Sequence, residues 1–158
     1  MRHYINKIIS CFIAMATICG LAGCTRNNGD IGDYFGEWRF DKITADGIDM
    51  NIYDNPNGVE LFTWAFQDNI IRINTIYPHH MTFSSFGTWL QRGDILELNF
   101  SYHDDDSENA MYAPPIEMHF DESGITRLHI VSMKNRKMIL SRIDTDGTEY
   151  MYYLNRPY

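Results

Sequence analysis

Few residue types in this chain can do chemistry, and their spacing narrows what that chemistry is. His79-His80 follows Pro78. Neighbours on a strand point to opposite faces, so this pair reaches one metal only from a turn. No His-x-His or helical His-x-x-x-His spacing supports zinc, and His103, His119 and His129 are scattered. Asp104-Asp105-Asp106-Ser107-Glu108 gathers the hard oxygen ligands that calcium prefers. The EF-hand pattern fails there, because Asn109 stands where glycine is required and Pro115 where glutamate is. The run reads as a solvated acidic loop. Ser84-Ser85 lacks the flanking glycines of a nucleophile elbow, and no Gly-rich phosphate loop occurs. No catalytic residue, metal or cofactor is assigned, and the chain is expected not to be an enzyme. The three cysteines are Cys11, Cys19 and Cys24.

The cysteines lead to the leader. Arg2, His3 and Lys7 precede an apolar run from Ile8 to about Ile18, followed by small residues up to Gly23. Basic, apolar, small is the layout of a secretory signal peptide. The apolar run falls short of the roughly 20 residues that a membrane span needs. Leu21-Ala22-Gly23-Cys24 resembles the lipobox of bacterial lipoproteins. Small Ala22 and Gly23 let the backbone enter a membrane-embedded peptidase, and the Cys24 thiol can form a thioether to diacylglycerol. The resemblance implies cleavage after Gly23 and lipidation of Cys24. Each buried methylene of the acyl chains contributes about 0.8 kcal/mol to anchoring. The organisation expected is a signal peptide over 1–23, a polar tether over 24–33 and one domain over 34–158. Thr25 is not the Asp that retains some lipoproteins in the inner membrane, and no acidic run follows Cys24. The location expected is therefore the outer membrane, facing the periplasm.

Cleavage removes Arg2 and Lys7 from 13 basic residues and none of the 21 acidic ones, leaving 11 against 21, a net charge of −10. Such a surface repels phosphate, which disfavours nucleic acid. The 135 remaining residues of the 158 suffice for one domain with a real core. With Cys11 and Cys19 gone, no disulfide framework is available, and stability must come from that core.

From Tyr34 onward the chain reads as short alternating segments between polar turns. Trp38 and Phe40 alternate with charged residues, and Thr44-Ala45-Asp46-Gly47 turns the chain. Ile48, Met50 and Ile52 follow, then Phe62, Trp64 and Phe66, then Ile71 and Ile73. Phe86, Thr88 and Leu90 precede a turn at Gln91–Asp94, and Leu96, Leu98, Phe100 and Tyr102 follow it. Ile116, Met118 and Phe120 predict another strand, Leu128 and Ile130 the next. Met138 and Leu140, then Tyr150, Tyr152 and Leu154, finish the set. Eight to ten strands and no helix-period segment predict an all-β, antiparallel, up-and-down β-barrel, since closure removes exposed edges. A two-sheet sandwich is the alternative.

Gly36-Glu37-Trp38, opening the first strand, resembles the Gly-x-Trp of the lipocalins. The stretches 87–100 and 138–156 are similar to lipocalin-like lipoproteins of Gram-negative anaerobes. The resemblance implies a calycin-like barrel whose Trp38 packs across the closed end. It also implies a basic residue near the last strand over that Trp, with Arg156 as the choice and Arg142 as the competitor. The lipocalin Thr-Asp-Tyr motif is absent, because Thr145-Asp146 is followed by Gly147.

Aromatic residues make up 14% of the chain, enough to line a cup. Trp64, Phe66, Phe86, Phe100, Tyr102 and Met118 are the candidate ligand-facing set. The same residues would also make a filled core. The leading expectation is a lipid-anchored, non-catalytic module that binds a small hydrophobic ligand. The competing one is a structural or interaction subunit of an envelope complex, with a filled barrel docked on a partner protein. Tyr112-Ala113-Pro114-Pro115 is placed to cover one mouth, as a lid or as an extended segment for a partner. An apolar internal cavity separates the two readings.

Overall fold

A computed structural model describes residues 32–54, 56, 58–101 and 113–157. The elements are β1 (Gly36–Ala45), β2 (Ile48–Asp49), β3 (Leu61–Gln67), β4 (Ile70–Ile76), β5 (Thr82–Arg92), β6 (Ile95–Asn99), β7 (Ile125–Lys134), β8 (Lys137–Ile143) and β9 (Glu149–Asn155). Single 3₁₀ turns cover Gly32–Tyr34, Pro78–His80 and Ile116–Met118. Among the described residues there is no α-helix, and so none that could cross a membrane.

Every strand pairs antiparallel with its neighbour, and β9 returns to β1. Eight strands thus close a barrel, and β2 is a two-residue extension of β1. The architecture expected from the alternation is the one observed. The turns carry the residues that right-handed twist demands. Asp46-Gly47 and Asn135-Arg136 both place two successive residues at positive φ. Bulges at Asp41 and Val131 shift the register of β1 and β7 and bend the wall.

The register defines two ends. One end holds the start of β1, the β3–β4 and β5–β6 turns, the β7–β8 turn and the end of β9. It is closed by the buried side chains of Tyr34, Trp38, Phe66 and Trp89, and the Tyr34 ring meets Trp89 at 4.9 Å and Phe66 at 5.4 Å. The Trp38 indole N–H donates to the Tyr34 carbonyl at 3.0 Å. The Arg156 guanidinium lies 4.3 Å from the Trp38 ring centre and donates to the carbonyls of Asp33 and Phe35. Arg142 lies at the other end of the barrel, close to the 143–149 turn.

At that other end, here called the mouth, the barrel has a seam. β1 and β3 pair only from Gly36↔Phe66 to Arg39↔Thr63, then diverge. Where the next rung belongs, the Tyr53 hydroxyl donates to the Phe40 carbonyl at 2.6 Å and accepts from the Phe62 N–H at 3.4 Å. One side chain from the β2–β3 connection thereby replaces a backbone pairing, and Ile52 and Val59 from the same connection are buried beside it.

One predicted strand is cut short and another is absent. Ile48, Met50 and Ile52 do not form one strand: Ile48 is exposed, Ile52 is buried, and Asn51 between them takes a left-handed φ of 50°. Ile116, Met118 and Phe120 form no strand either. Ile116–Met118 is a 3₁₀ turn, ended by His119 at φ 48°, a conformation no strand can contain.

Candidate functional site

The barrel interior divides into two storeys by what fills it. The closed-end storey is filled by the strands themselves and by Tyr34. The mouth-end storey has walls of Phe40, Phe62, Trp64, Ile73, Leu140 and Tyr152, all buried. Its filling comes from a segment outside the β ladder, residues 113–124 between β6 and β7. Met118 of this segment has no exposed surface. Phe120 meets Trp64 at 5.6 Å, Tyr152 at 5.9 Å and Phe100 at 6.0 Å.

This plug is held by side chains reaching up from the wall. The Tyr152 hydroxyl donates to the Met118 carbonyl at 3.0 Å. Arg142 Nη2 donates to the His119 carbonyl at 2.7 Å and to Asp144 at 3.0 Å. Thr126 Oγ1 accepts from the Asp121 N–H at 2.9 Å, and the Asp121 carboxylate caps Ser123. Those hydrogen bonds from Ser123 hold the Asp121 carboxyl below its ordinary range. The His119 ring stacks on Tyr150 at 5.3 Å, and the Arg142 guanidinium also lies 5.3 Å from the Tyr150 centroid. Burial, then the Arg142 charge, push the His119 pKa below its ordinary value, against a smaller opposite pull from Glu117 and Asp144. Burial pushes the Tyr152 phenol upward, so it remains a hydrogen-bond donor through the ordinary pH range.

Two donors in this storey have no acceptor among the described residues. The Trp64 indole N–H is buried and unpartnered, and so is Arg142 Nε, on a side chain 8% exposed. An unmet buried donor costs about 1–3 kcal/mol.

The sequence-predicted ligand-facing residues do not all share this storey. Trp64, Phe100 and Met118 are buried within it or against it. Phe66 is buried in the closed-end storey, against Tyr34 and Trp89. Phe86 points outward: it pairs with exposed Arg72, while its neighbour Gly87 faces the Phe100 ring. The inward face of β5 is therefore Ser85, Gly87 and Trp89, not Phe86, Thr88 and Leu90. Tyr102 and Cys24 lie outside the described residues, as does the acidic loop 104–108. His79 and His80 are exposed in their turn, and among the described residues no three His, Cys, Asp or Glu side chains gather as a metal site. Phe120, Tyr152, Tyr53 and Arg142 belong to the mouth, yet none was among the ligand-facing candidates. The signal that could have found the plug is Pro114-Pro115, immediately before Ile116–Met118, since proline cannot donate to a ladder.

No protein-family model matches the chain, and no curated protein does. Among solved structures, a lipocalin-like protein from Bacteroides uniformis superposes with a TM-score of 0.50 at 15% identity, covering 77% of this chain and 97% of that one. An uncharacterized protein from Bacteroides eggerthii gives 0.49 at 14% identity, covering 76% and 98%. Apocrustacyanin C1 gives 0.41 at 12% identity, covering 85% and 71%. The closed eight-stranded antiparallel barrel, Trp38 across its shut end and the first of these superpositions agree on one conclusion: this chain has a lipocalin-like fold.

Proposed function

We propose that this protein is a lipid-anchored, non-catalytic binding module that takes a small hydrophobic molecule into the mouth-end storey of its barrel. One observation carries the reading: that storey has aromatic walls made by strands, but its filling is a ladder-free segment held by a few side-chain bonds. Such a filling can be exchanged without breaking the barrel, whereas the closed-end core cannot. The basic-apolar-small leader and Leu21-Ala22-Gly23-Cys24 support lipidation at Cys24 and an outer-membrane location facing the periplasm. Gly32, the first described residue, lies at the closed end, away from the mouth.

A second reading has its own observation. With the plug in place the wall residues are fully buried, and large apolar side chains are exposed around the mouth: Ile48, Met81, Phe83, Ile116 and Ile143. A filled barrel with an apolar rim suits a subunit docked on an envelope protein.

Native mass spectrometry of the full mature protein, extracted from its own host's envelope, tests both. A co-purifying apolar small molecule supports the binding module and names the ligand class. A bare cup with a protein partner at fixed stoichiometry overturns it in favour of the second reading.

A further inference from the structure

The mouth-end storey also has a polarity. Around Met118 and His119 the groups that close on the plug present N–H and O–H: Tyr152 to the Met118 carbonyl, Arg142 to the His119 carbonyl, while Thr126 Oγ1 accepts from the plug further along, at Asp121. Two further N–H groups there find no acceptor among the described residues, Trp64 Nε1 and Arg142 Nε. Asp144 neutralises the Arg142 charge but takes only its terminal nitrogens. The plug therefore consists of an apolar body, Met118 and Phe120, topped by two bare carbonyl oxygens. A molecule that takes the place of Met118 and His119 inherits the Tyr152 and Arg142 donors without their acceptors, and a buried donor left unmet is costly.

Resting on the reading of this storey as a ligand site, we infer that its ligand is an apolar molecule headed by an acceptor-only group, a carbonyl or carboxylate, seated on Tyr152 and Arg142 in place of the plug's carbonyls. A donor-headed molecule of equal length is rejected, because its N–H groups would face other N–H groups. The mature chain's formal charge, 11 basic against 21 acidic residues or −10, acts the other way, drawing ammonium and repelling carboxylate. Selection against that field would therefore come from the site and not from the surface.

The test uses the full mature protein at high ionic strength, which screens the surface field. N-phenyl-1-naphthylamine reports occupancy by fluorescence, and dodecanoate, methyl dodecanoate and dodecylammonium compete for it. Expected is binding of the acid and the ester at least about ten-fold tighter than the ammonium, the equivalent of one charge-assisted or buried hydrogen bond. Tyr152→Phe, which keeps the ring and deletes one donor, is expected to shrink that ratio several-fold while the dye still binds. Dodecylammonium competing as well as the ester, or a ratio unchanged in Tyr152→Phe, overturns the inference and leaves the binding module standing. Failure of the dye and all three chains to bind overturns both.

Discussion

Met118→Ala separates a plug from an ordinary core residue. Met118 is fully buried, so truncation removes three heavy atoms from a packed site. Buried Met→Ala changes cost about 2–5 kcal/mol, the amount depending on how far the surroundings collapse. Residues 113–121 have no ladder partners and are held by Tyr152, Arg142 and Thr126, so they can settle inward. The cost should fall near the low end, about 2–3 kcal/mol. For a domain of this size that lowers Tm by roughly 6–12 °C. The same truncation removes part of what a ligand must displace. Affinity for N-phenyl-1-naphthylamine should therefore rise about ten-fold or more, since each 1.4 kcal/mol of lost competition is a factor of ten. Thermal unfolding followed by circular dichroism and a dye titration measure the two halves. A drop in Tm without any gain in affinity would refute the reasoning, because Met118 would then be core and not plug.

Gly87→Ala should destabilise the barrel by about 1–3 kcal/mol, since the added Cβ would lie 2.6 Å from the Asn99 carbonyl and 2.8 Å from the Phe100 ring; an unchanged urea midpoint would contradict the wall geometry. Arg156→Met should cost about 1–3 kcal/mol and change the near-ultraviolet dichroism of Trp38, through loss of the ring contact and of the bonds to the Asp33 and Phe35 carbonyls. Tyr53→Phe leaves the Phe40 carbonyl and Phe62 N–H unbridged and should cost about 1–3 kcal/mol, with faster hydrogen exchange at Phe62. The His119 pKa is lowered in the fold, so the neutral ring is the stabilising form. Its contribution is complete above the unfolded value of 6.5 and is lost as pH falls through the lower folded value. Dye affinity should accordingly rise on acidification in the native protein and stay flatter in His119→Gln; equal profiles would remove His119 from the latch.

The barrel was legible because its signals are local and redundant. Trp38, Phe40 and Leu98 alternate with polar neighbours, and Asp46-Gly47 and Asn135-Arg136 occupy turns that need positive φ. The phase of β5 was not legible. Phe83, Phe86, Trp89 and Leu90 place apolar side chains on both faces, so period two alone cannot say which face is inward. What decides it is non-local: only a glycine at 87 leaves room for the Phe100 ring. The plug was misread for a related reason. Ile116, Met118 and Phe120 have strand spacing, yet His119 turns left-handed between the last two and sends Ile116 to solvent, 85% exposed. Arg142 drew attention as a cover for Trp38, but its position on β8 carries it to the opposite end. Its partners there, Asp144 and the His119 carbonyl, are set by tertiary packing that spacing does not encode.

The central claim is that a ligand enters by displacing residues 113–121. Hydrogen–deuterium exchange of the full mature protein, with and without saturating N-phenyl-1-naphthylamine, tests it most directly. The Met118 and His119 amides now donate to Pro115 and Ile116 at 3.0 and 3.1 Å. Faster exchange across 115–121 is expected in the bound protein, with β7, β8 and β9 unchanged. Bound dye with 115–121 as protected as before would contradict it.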